Sequence, residues 1–144
     1  MRMMRTLVAA MVGVALLGAA CGGGGESTAD KKAKITTNWE ALFNPSIPVS
    51  QKYDLLENGT TAKLKAVIDA ASKNPQAAGT KAKVKTVTIN GDKANVTYDL
   101  VSTQNDQPLL PNAQGVAVKQ NGKWKVSQQT FCALLALGGA SCPT

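Results

Sequence analysis

Apolar residues along this chain change their period at Gly79 from the 3.6 of a helix to the 2 of a strand, and that switch limits the architectures open to it. Upstream, Ile35, Trp39, Leu42 and Phe43 fall at i, i+4, i+7 and i+8, the stripe of a helix that stops before Asn44-Pro45. Pro45 and Pro48 fix their own φ and push the residues before them out of the helical region. Ser50 is then placed as the cap of a short helix through Leu56, which Asn58-Gly59 ends. A third helix follows Thr60-Thr61, carries Leu64, Val67, Ile68 and Ala71 on one face, and stops near Lys73-Asn74-Pro75.

Downstream, Ala94, Val96, Tyr98 and Leu100 alternate with Asn95, Thr97, Asp99 and Val101, and Asn90-Gly91 joins this strand to the run Lys83 to Ile89 by a tight hairpin. In that run Lys81, Lys83 and Lys85 share a face with Val87 and Ile89. Either a bulge near Thr86 switches the faces or the lysine end hangs beyond the sheet. Residues 103–112, with two prolines, read as a loop. Val116 and Val118, Asn121-Gly122, and Trp124 with Val126 form a second hairpin, and Ser127 to Gly138 a closing apolar helix with Phe131, Leu134, Leu135 and Leu137. Helices first and antiparallel strands afterwards define an α+β domain: N-terminal helices on a curved four-stranded sheet, closed by a C-terminal helix. The 144 residues, 44% apolar, suffice for one such domain and not for two.

The first twenty residues are expected to be an export signal. Arg2 and Arg5 form a positive start, Leu7 to Leu17 are continuously apolar, and Gly18-Ala19-Ala20 are small. Leu17-Gly18-Ala19-Ala20-Cys21 resembles a bacterial lipobox, in which the cysteine is acylated and becomes the mature N-terminus; Gly18 stands where that pattern usually has Leu. Residues 21–31, with Gly22 to Gly25, read as a lipidated cysteine and a glycine-rich tether, leaving 32–144 as the domain. The expected address is the outer face of the cell membrane or envelope, with the membrane itself a partner through Cys21 and a share of the protein released. Three cysteines is an odd count for an exported chain, and acylation of Cys21 removes the oddity. Cys132 and Cys142 then remain as a pair that an oxidising compartment would join, the alternative being two buried free thiols.

There is no histidine, which excludes a Ser-His-Asp triad, a Cys-His dyad and any His-built metal site. No cofactor or metal is implied. The net charge of +7 would ordinarily suggest nucleic acid. Past the signal, however, every basic residue is Lys, so no Arg remains for bidentate base reading, no basic strand carries stacking aromatics, and nucleic acid is excluded as a partner. The lysines read as a solvated surface able to attract anionic lipid headgroups or envelope polymers, the alternative being simple solubility.

The break at Phe43-Asn44-Pro45-Ser46-Ile47-Pro48, the segment Leu55-Leu56-Glu57-Asn58-Gly59, and Asn121-Gly122-Lys123-Trp124-Lys125-Val126-Ser127 leading to Thr130-Phe131-Cys132 together resemble the mycobacterial low-molecular-weight secreted antigen family and its lipoprotein relatives. The resemblance runs from Ile35 to Cys142 and implies a cystatin-like cone of the nuclear transport factor two type, with no established reaction. Such cones host isomerases and cyclases, bind apolar ligands, or do neither. An isomerase-like site needs a carboxylate beside a tyrosine. Tyr98 and Asp99 are adjacent on a strand and point to opposite faces, while Tyr53, Asp54, Asp69 and Glu40 read first as solvated helix residues. The inward set, Ala94, Val96, Tyr98, Leu100, Val116, Val118, Trp124 and Val126, is otherwise apolar. The expectation is therefore a non-catalytic domain that binds an envelope protein or a small apolar molecule, any pocket being lined by Trp39, Phe43, Val96, Tyr98, Leu100, Val118 and Trp124. The competing expectation is a small isomerase or cyclase, or an apolar-ligand carrier.

Overall fold

A computed structural model describes residues 25–144. The expected signal segment, Cys21 and the glycines up to residue 24 lie outside the described residues. Five α-helices precede and follow one antiparallel sheet: α1 (Thr28–Leu42), α2 (Val49–Lys52), α3 (Ala62–Ser72), α4 (Pro75–Ala78), β1 (Thr80–Asn90), β2 (Lys93–Ser102), β3 (Pro108–Gln120), β4 (Lys123–Val126) and α5 (Gln128–Leu137), with a 3₁₀ turn at Tyr53–Leu55. The strands lie in the order β1-β2-β3-β4. This is the α+β architecture expected from the change of period at Gly79 and the closing helix.

Helix α1 starts earlier than the tether reading allows, and residues 28–31 belong to it. Ser27 is its N-cap: its hydroxyl accepts from the Asp30 N–H at 3.1 Å and donates to the Asp30 carboxylate at 2.7 Å, two bonds that fix the first turn. Ser50 is not a cap; α2 starts at Val49 with Pro48 before it, and Ser50 lies inside the helix. Thr61 caps α3 by accepting from the Leu64 N–H, and Ser127 caps α5 by accepting from the Thr130 N–H.

The first hairpin turns at Gly91-Asp92 with φ positive at Gly91 alone, the II′ pattern, and the second at Asn121-Gly122 with φ positive at both, the I′ pattern. The register between β1 and β2 slips between Val84 and Thr86, so Lys85 is the bulged residue. That bulge lets Ala82 and Val84 point the same way as Val87 and Ile89 while the lysines face outward along an edge strand, where charge discourages pairing with other chains.

Two expectations about β3 are corrected. The prolines sit within a strand, not a loop, because β4 pairs only with residues 117–120 and leaves the first half of β3 as an edge, where Pro is tolerated. The inward face of β3 is Ala113, Gly115 and Ala117, opposite Tyr98, Val96 and Ala94, so Val116 and Val118 face the other side. Small residues are inward there because Trp39 fills the space: a Cβ on Gly115 would lie 2.6 Å from the Trp39 ring and 2.6 Å from the Thr130 methyl.

Helix α1 packs against both β1 and β4, the two edges of the curled sheet. Consecutive helical residues are about 100° apart, so Asn38 and Glu40 point to nearly opposite sides with Trp39 between them. The Asn38 amide donates to the Trp124 carbonyl on β4 at 2.8 Å, and the Glu40 carboxylate accepts the Val84 N–H on β1 at 3.0 Å. Trp39 enters the core, 1% exposed, beside Ile35, Leu56, Ile68, Val96, Tyr98 and Val126. The core cluster runs from Ile35 to Phe131, with Cys142 packed against it, so the described segment carries a complete hydrophobic core of its own.

Candidate functional site

The residues expected to line a pocket between helix and sheet pack on one another. The Trp39 ring lies 5.0 Å from Tyr98 and 6.2 Å from Phe43, and Phe43 stacks on Tyr98 at 6.1 Å and 12°. Val96 and Trp124 are buried in the same cluster, with Phe43 and Leu100 packed against it. Val118 is not among them, since it projects from the opposite face of β3. Tyr98 is 1% exposed, and burial pushes its phenol up to about 12.

The carboxylates that could have served chemistry mostly hold backbone. Glu40 receives the N–H freed by the β1 bulge. Glu57 accepts the Gln128 N–H at 2.9 Å, at the start of α5, where a negative charge also complements the helix dipole. Asp99 accepts the Asn112 N–H at 2.7 Å with the Lys85 ammonium 3.6 Å away. Tyr53 and Asp69, unrelated in the sequence pattern, do meet: the phenol donates to the carboxylate at 2.6 Å, and that bond pushes the phenol above its usual range. The Lys65 ammonium stands 5.1 Å from the Tyr53 ring. This cluster ties α3 to the 3₁₀ turn on the half-buried surface.

Two clefts open elsewhere. The larger, about 630 Å³, lies between α3 and the C-terminal tail, with walls of Val67, Ala70, Ala71, Leu135, Cys142 and Pro143 and Lys63 at the side. A Cys132–Cys142 disulfide ties the tail to α5 beside it, the pairing the cysteine count pointed to. The smaller, about 250 Å³, lies between the proline segment Pro45–Val49 and Ser72, Ala77 and Ala78 of α3 and α4, with Lys52 in its wall. Lys52 is 8% exposed, and burial holds its ammonium below the usual lysine range. Neither cleft includes Tyr53 or Asp69 in its lining. No sequence signal marked Lys52, because its burial comes from the proline segment folding over it. Among the described residues no three Cys, Asp or Glu side chains stand together as metal ligands would.

Helices leading into a curled four-stranded half-barrel, plugged by α1 and closed by α5, form a cone of the nuclear transport factor two-like class. Within that class the chain belongs to the family of the low molecular weight antigen MTB12, whose C-terminal domain matches residues 28–142. Among solved structures, a Campylobacter jejuni protein described as an NTF2-like transpeptidase is similar at 18% identity and a TM-score of 0.44, over 70% of this chain and 98% of that one. No curated protein sequence matches the chain.

Proposed function

We propose that this protein is an exported cell-envelope lipoprotein, held at the outer face of the membrane by acylated Cys21, whose domain binds a partner or small molecule and catalyses no reaction. The observation that carries the non-catalytic part is the filled interior: Trp39, Phe43 and Tyr98 occupy the space where a cone-shaped enzyme keeps its cavity. Glu40, Glu57 and Asp99 are each engaged by a backbone N–H, which supports the same reading. The Cys132–Cys142 disulfide supports an oxidising address. The lipobox-like segment and the glycines after Cys21 support the anchor, because two or three acyl chains hold a bilayer far more firmly than one.

The isomerase-like alternative has one observation in its favour, the Tyr53–Asp69 hydrogen bond, and against it the position of that pair outside both clefts. Two measurements test the proposal. Cys21→Ala should move the protein from the detergent phase to the medium, and a variant that still partitions into detergent refutes the anchor. Native mass spectrometry of protein purified from its own host should find any retained molecule unchanged. Conversion of such a molecule by the wild type and not by Asp69→Asn refutes the non-catalytic reading.

A further inference from the structure

The cleft beneath the proline segment has in its wall a cation that no protein group pairs. Lys52 is more than nine-tenths buried, yet among the described residues it makes no ion pair and donates no hydrogen bond. Its stem is buried while its ammonium is not among the enclosed unpaired polar atoms, so the charge reaches the solvent of the cleft and no group of the protein answers it. The wall that Lys52 shares contains no acidic residue. Its other polar side chains are the hydroxyls of Ser46 and Ser72, both on exposed residues. The rest is Pro45, Ile47, Pro48, Val49, Ala77 and Ala78, a surface of small apolar groups.

We infer that this cleft is a binding site for a small organic carboxylate, its single negative charge received by Lys52 and the two serine hydroxyls and its apolar body laid against the prolines, Ile47 and Val49. One ammonium matches one carboxylate, whereas a phosphate dianion would leave charge uncompensated and the apolar walls unused. A cleft of about 250 Å³ suits a molecule the size of benzoate and not a lipid chain. The inference rests on the reading that the domain binds without turnover and names the ligand class for it.

The test uses residues 25–144, which carry their own core, with benzoate as probe. Amide shifts are followed for Ile47, Val49, Lys52, Ala77 and Ala78 as benzoate is added, and separately as inorganic phosphate is added. Saturable shifts with benzoate at those amides are expected, weakened about tenfold or more in Lys52→Met and unchanged in Lys119→Met. In wild-type protein with ¹³C-methylated lysines, the Lys52 pKa should rise when benzoate is bound, a readout that does not depend on Lys52→Met folding. Absence of saturable shifts, equal binding by Lys52→Met, an unmoved Lys52 pKa, or the same response to phosphate with none to benzoate overturns the site. Benzoate recovered intact from the tube leaves the non-catalytic reading in place whichever way the site is decided, and its consumption refutes that reading separately.

Discussion

Replacing Gly115 by alanine puts one methyl group where the structure has no room. The added Cβ would stand 2.6 Å from Trp39 Cη2 and 2.6 Å from Thr130 Cγ2, about 1 Å inside an ordinary carbon–carbon contact. Neither neighbour can retreat. Trp39 is 1% exposed and packed against the stacked pair Tyr98 and Phe43, and the Thr130 hydroxyl accepts from the Val116 N–H at 2.9 Å and from the Ser127 hydroxyl at 2.8 Å. Gly115 does not have positive φ, so alanine meets no backbone penalty and the cost is steric alone. Overpacking of this kind costs about 1–3 kcal/mol, and the reduced freedom of the unfolded chain returns about 0.4–1 kcal/mol. The expected net loss is about 1.3 kcal/mol, or a fall in Tm of about 5 °C for a domain of this size. Urea unfolding followed by far-ultraviolet circular dichroism measures it. In a Trp39→Phe/Thr130→Ser background, which removes the atoms in the way, the same methyl should cost less than about 0.5 kcal/mol. A neutral Gly115→Ala, or an equal loss in both backgrounds, would refute the reasoning.

Glu40→Ala should cost about 1–3 kcal/mol by leaving the Val84 N–H of the bulge unpaired, with Glu40→Gln restoring much of it and hydrogen exchange at Val84 tracking the loss. Tyr98 makes stability fall at high pH: its folded-state value of about 12 lies above the unfolded 10, so its contribution is full below pH 10 and is lost as pH rises towards 12. That loss amounts to about 2–3 kcal/mol, and Tyr98→Phe should unfold with a shallower alkaline slope. Reduction of Cys132–Cys142 should lower stability by about 3 kcal/mol on the chain-entropy relation for so short a loop, read as the shift of the urea midpoint in dithiothreitol; an unmoved midpoint would mean that the tail does not unfold with the domain.

Helices α1, α3 and α5 and both hairpins could be read from the sequence because each rests on local chemistry, a 3.6-residue stripe or glycine at positive φ; the three lysines in phase with Val87 and Ile89 left the bulge as one of two readings, and the single turn of α4 was not read at all. The inward face of β3 could not be read. Both of its phases carry apolar residues, and the choice falls to Ala113, Gly115 and Ala117 because a tryptophan from α1 needs their smallness, a long-range demand that leaves no mark on the strand itself. The prolines of β3 misled for a related reason, since whether Pro fits a strand depends on how far β4 extends beside it. Lys52 was invisible for want of any local signal, its burial being a property of the cleft around it.

The seating of α1 between the two sheet edges also sets when this chain can finish folding. Asn38 waits for Trp124, 86 positions later, and Glu40 for Val84, 44 positions later, so the first helix made is completed by nearly the last strand. Until β4 arrives, a partly emerged chain has closed long loops without the full set of contacts that rewards it. A chain delivered end-first through a narrow passage would therefore stay threadable until almost all of it was through, and then close in one cooperative step.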